Sequence, residues 1–101
     1  MESESTRSET FKRLVELARA EFWKEKRAID GVYYKAIEAA MRVYEKAWDS
    51  DTQFQGETPE IAFQNLNERM NSAREARKKA VSEAIERYTD KVESLRDMMQ
   101  S

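Results

Sequence analysis

The stretch Asp49-Ser50-Asp51-Thr52-Gln53-Phe54-Gln55-Gly56-Glu57-Thr58-Pro59 decides the fold, because it carries most of the chain's helix-breaking signal. It holds the only Pro and one of the two Gly among 101 residues. Thr58 before Pro59 reads as a helix start. A threonine oxygen can accept from the free N–H groups of the first turn, and proline at the first helical position gives up an N–H that has no partner there anyway. Glu57 and Glu60 place negative charge at the positive end of that helix.

On either side of this turn, apolar residues recur in steps of three and four. Upstream they are Phe11, Val15, Ala18, Phe22, Ile29, Tyr33, Ala36, Ala40, Val43 and Ala47. Downstream they are Phe63, Leu66, Met70, Ala73, Ala76, Ala80, Ala84, Tyr88, Val92, Leu95 and Met99. Both patterns are one face of an α-helix. The spacing from Leu66 to Met99 averages about 3.67 residues, which favours straight or slightly right-handed packing over a left-handed heptad coil. One slot of the first stripe, at Glu25 and Lys26, is charged. Glu38 with Arg42, Glu75 with Lys79 and Glu83 with Arg87 stand in the favourable i, i+4 order, worth about 0.2–0.5 kcal/mol each.

The sequence therefore predicts an all-α fold, a long antiparallel two-helix hairpin with helices from about Glu9 to Trp48 and from Pro59 to Met99. Such a hairpin sets Trp48 near Ile61, Ile29 near Ala80, and Phe11 near Leu95 or Met98. Gly31 is the weak point of the first segment, since Gly costs a helix interior roughly 1 kcal/mol relative to Ala. A break there would give three helices, but the apolar stripe stays in phase across it. Residues 1–8 are small and polar and are expected to form a flexible tail, with residues 9–101 as one hairpin domain. Thr6 and Glu9 have the spacing of a capping box.

Composition excludes several functions. The chain has no Cys and no His, so disulfides, thiol chemistry and histidine ligands or bases are unavailable to it by composition. A catalytic role and a cofactor are not expected. The 18 basic and 20 acidic side chains leave a net charge of −2 and give no overall electrostatic footprint for nucleic acid. No apolar run is long enough to span a membrane, and no apolar secretory core is seen, so a cytoplasmic location is expected. Asp49, Asp51 and Glu60 match the first, third and twelfth positions of a calcium-binding loop, but Phe54 stands where that loop needs Gly. Arg74, Arg77, Lys78 and Lys79 form the densest basic group, read as a solvated face.

The apolar arc is wider than one seam. Phe22 lies beside Trp23, Val32 beside Tyr33 and Tyr34, Val43 beside Tyr44, and Ala47 beside Trp48. Neighbouring helical residues point about 100° apart, so each such pair widens the arc. This predicts a non-enzymatic interaction or assembly protein, a homo-oligomer or the partner of another helical protein. The expected anchors are Phe22, Trp23, Tyr33, Tyr44, Trp48 and Tyr88. They are aromatic residues of the kind that dominate interface energetics.

Two family resemblances offer alternatives. Asp30-Gly31-Val32-Tyr33-Tyr34-Lys35-Ala36-Ile37 resembles the turn between the first two helices of the MIT (microtubule-interacting and transport) domain, and Tyr88-Thr89-Asp90-Lys91-Val92-Glu93-Ser94-Leu95-Arg96 resembles its last helix. That resemblance implies a monomeric three-helix module binding helical peptide tails near Asp90, Glu93 and Leu95. The length and Trp48 before the turn are similar to the small helical-hairpin WXG-type proteins exported by type VII secretion, although Ser50 stands in place of the motif's Gly and Val92 in place of an acid.

Overall fold

The computed structural model describes residues 4–49 and 58–100, apart from the side chains of Ser5, Trp48 and Asp49. It contains two helices, α1 (Glu4–Asp49) and α2 (Pro59–Gln100), packed against each other as an antiparallel hairpin. No strand occurs among the described residues.

Helix α2 starts where the sequence places it. The Thr58 hydroxyl accepts from the Ile61 N–H at 3.3 Å and the Thr58 carbonyl accepts from the Ala62 N–H at 3.0 Å. The first is a cap on one of the donors left open by a helix start, and the second is the first regular bond of the helix. Helix α1 departs from expectation at its own start. It begins at Glu4, not near Glu9, so Thr6 lies inside the helix and is not its cap. The Thr6 carbonyl accepts instead from the Thr10 hydroxyl at 2.9 Å, the back-bonding typical of threonine within a helix. Glu4 puts a carboxylate at the positive end of α1.

Gly31 does not break α1. The three-helix arrangement is therefore not adopted, and with it goes the fold implied by the MIT resemblance. The continuous stripe on both sides outweighs the cost of one glycine. Gly31 is exposed, and a Cβ built on it meets nothing within 4 Å.

The chain divides into two compact units, Met1–Ala28 with Ala80–Ser101, and Ile29–Lys79. In the first, Glu21 pairs with Lys91 and Glu25 with Arg87, so four residues forward on α1 match four residues back on α2. Phe11 shares a shallow hollow with Arg96 and Met99, close to the register expected for it. In the second, Asp30 meets Arg77 and Tyr44 meets Phe63, again an equal advance and retreat. The expected Trp48–Ile61 neighbourhood and the calcium-loop positions from 49 to 57 lie outside the described side chains.

Burial is sparse. Among the described residues the buried set is Ala18, Ala40, Ala62, Leu66 and Ala84. Most of the predicted stripe is buried or half-buried, but Ala36, Val43, Phe63 and Ala76 are exposed. Ile37, Tyr44, Ala62 and Arg77, each next to one of these in sequence, turn inward instead.

Two substitutions test this account of the helices. Gly31→Ala should raise stability to chemical denaturation by roughly 1 kcal/mol, since it removes backbone freedom from the unfolded chain and adds a methyl group where space is open. Thr58→Ala should lower it by about 1 kcal/mol through loss of the cap.

Candidate interaction surface

In the first unit the helices meet at Ala18 and Ala84, which line one hollow together with Phe22, Tyr88 and the charged residues around them. Small side chains allow close backbone approach at that point. Larger residues are displaced to the edges of the contact. Phe22 and Tyr88 are half-buried, with ring centroids 5.7 Å apart across the helix pair. Phe22 also meets Trp23 edge to face at 5.5 Å. Trp23 turns away from the seam and is 49% exposed, with the Lys26 ammonium 5.3 Å from the centre of its ring. The ion pairs Glu21–Lys91 (2.7 Å) and Glu25–Arg87 rim the contact. The charged slot at Glu25 thus faces a base in register on α2. Arg87 reaches across to Glu25, where the sequence suggested a local pair with Glu83.

In the second unit the seam passes Ala40, Ala62 and Leu66. Tyr33 is half-buried under the Arg77 guanidinium, which lies 4.9 Å from its ring centre and donates to the Asp30 carboxylate at 2.9 Å. Arg77 is therefore part of the helix–helix contact and not of a solvated basic face with Arg74, Lys78 and Lys79. Tyr44 is half-buried and meets Phe63 at 6.4 Å. Val32, Tyr34, Met41, Val43, Ile61 and Phe63 remain exposed, Val32 at 71% and Tyr34 at 63%.

Of the six anchors expected from the sequence, Phe22 and Tyr88 come together in the first unit. Tyr33 and Tyr44 serve the helix–helix contact of the second. Trp23 is the one presented to solvent, and the Trp48 side chain lies outside the description. The interhelical acid–base pairs were not foreseen. Their signal was present in Glu25, an acid in a stripe slot, with Arg87 opposite it once the antiparallel register is applied.

Among the described residues there is no group of three or more acidic side chains placed to hold a metal ion, and neither helix is long and apolar enough to cross a membrane. Comparison of the chain with protein-family models, with curated proteins and with solved structures finds no match. Neither resemblance seen in the sequence is supported by a family match.

The Arg77 arrangement has a measurable consequence. Arg77→Ala removes both the bond to Asp30 and the cation over Tyr33, and should cost on the order of 1–2 kcal/mol in urea unfolding. Arg42→Ala removes only the exposed pair with Glu38 and should cost no more than about 0.5 kcal/mol. Equal losses would mean that Arg77 is not anchored as described.

Proposed function

We propose that this chain is a non-enzymatic assembly protein that self-associates through the aromatic and aliphatic side chains left at the edges of its helix–helix seam. One observation carries the reading. Among the described residues nothing larger than leucine is buried, while ten large apolar side chains stay substantially exposed.

Magnitudes support it. A large side chain carries about 150–200 Å² of surface, so roughly half-exposure of ten of them amounts to on the order of 900 Å² of wet apolar area. That is comparable with the roughly 800 Å² per partner of a stable interface. These residues lie on more than one flank, so one interface covers only a part of them. At about 25 cal/mol per Å², hiding half of this area on each of two copies gives on the order of 20 kcal/mol gross, above the roughly 4–15 kcal/mol lost in immobilising the partners. Composition points the same way, because without His or Cys the commonest general base and the thiol nucleophile cannot be supplied.

Light scattering at micromolar concentration tests this directly. A dimer or higher oligomer is expected, and a monomer that persists across the micromolar range would overturn the reading. Trp23→Ser should weaken association at least tenfold while circular dichroism shows the helices retained, because a half-exposed tryptophan is the strongest single anchor available. Val32→Ser, on another flank of α1, should weaken it far less.

A further inference from the structure

We infer that the partner is a second copy of this chain, laid face to face on the unit formed by α1 up to Ala28 and α2 from Ala80, about a two-fold axis parallel to the helices. Each α1 there lies against the second copy's α2, and the two units together make a four-helix bundle. The inference rests on the self-association reading and specifies its geometry.

The two sides of this unit differ. At 100° per residue, the pairs Glu21–Lys91 and Glu25–Arg87 occupy one side of the helix–helix contact. On the other side α1 presents Glu16, Arg19, Trp23 and Lys26, and α2 presents Ile85, Glu86, Glu93 and Arg96. The five charged residues other than the half-buried Lys26 are exposed, and Trp23 and Ile85 are 49% and 48% exposed. Between these two lips run the half-buried Val15, Val81 and Val92. The side is thus an apolar strip with charged margins, the usual layout of an interface.

Symmetry fixes how two such sides meet. A two-fold rotation about an axis parallel to the helices has no slide along it, so residues that are level within one copy are level across the two. Within the unit Glu21 is level with Lys91 and Glu25 with Arg87. The same register sets Arg19 level with Glu93, Lys26 with Glu86, and Glu16 with Arg96. Every charge on the α2 lip therefore faces an opposite charge on the second copy's α1, and each contact occurs twice. Of the other α1 charges on this side, Lys12 is level with Gln100, Arg27 adjoins Lys26 opposite Glu86, and Glu4 and Glu9 stand past the end of α2. Trp23 is level with Thr89 and packs toward Ile85 one turn away. A two-fold axis across the helices would instead set α1 on α1 and α2 on α2. That brings the lip with Lys12, Arg19, Lys26 and Arg27 onto itself, and Glu86 and Glu93 onto their own copies, so charge selects the axis parallel to the helices.

Charge reversal with complementation tests the geometry. Arg19→Glu/Lys26→Glu and Glu86→Lys/Glu93→Lys each set like charge on like in a pair of identical copies. Each variant alone should associate at least tenfold more weakly than the unaltered chain in light scattering, with helicity retained by circular dichroism. An equimolar mixture of the two should recover association, because every contact between unlike copies is again base on acid. Arg13→Glu/Lys24→Glu makes the same change in net charge on the outer face of α1 and should associate as the unaltered chain does. Should a double variant lose helicity, the single changes Arg19→Glu and Glu93→Lys carry the same test. If the unaltered chain associates but either lip variant does so equally well alone, the mixture recovers nothing, or the outer-face variant is weakened as much, the α1-on-α2 contact is wrong while self-association stands. If the unaltered chain is itself monomeric at micromolar concentration, the self-association reading fails and this inference fails with it.

Discussion

In each unit the helix–helix contact is lined largely by alanine. Ala18 and Ala84 in one unit, and Ala40 and Ala62 beside Leu66 in the other, are the buried residues, and the aromatic side chains lie at the edges. Close approach is favourable for dispersion and for helix propensity, but it sends every aromatic ring to the margin of the contact. Phe22, Tyr33, Tyr44 and Tyr88 are therefore half-buried at the edge of the contact. A third helix would cover what remains exposed of them. This chain has none among its described residues, and the uncovered apolar edge follows from the choice of alanine for the floor.

The fold was legible because its signals are local and redundant. The stripes on α1 and α2 each run for about ten repeats, and Thr58-Pro59 marks a helix start by a mechanism that needs no tertiary information. The antiparallel direction then follows from chain connectivity. The inward-facing positions were less legible. Ala36 and Val43 fit the apolar spacing as well as Ile37 and Tyr44 do, because apolar residues occupy neighbouring positions and a broad arc has no unique centre. Arg77 was the hardest to place. As a cation among Arg74, Lys78 and Lys79 it reads as solvated, and only the approach of Tyr33 and Asp30 from the other helix draws it part-way into the contact. At the start of α1, polar residues with adequate helix propensity read as a tail, but Glu4 onward continues the helix without any apolar anchor.

Charge does different work at the seam and away from it. The pairs Glu21–Lys91, Glu25–Arg87 and Asp30–Arg77 each place an acid of α1 against a base of α2. Their side chains are a quarter exposed or more, so each adds little to stability. They do discriminate among registers. Sliding α2 by one turn would move Arg87 and Lys91 off their acids and take Arg77 away from Tyr33. An alanine floor tolerates such sliding, since one alanine fits beside another almost as well as the next one along. The ion pairs at its edge therefore add register specificity that a contact made largely of alanine lacks.

The net charge of −2 conceals this arrangement. A balance near zero argues against a diffuse polyanionic partner, but it says nothing about order along a helix. Within each unit, alanine and aromatic contacts hold the helices together, and acids of α1 stand opposite bases of α2 at the edge of the contact.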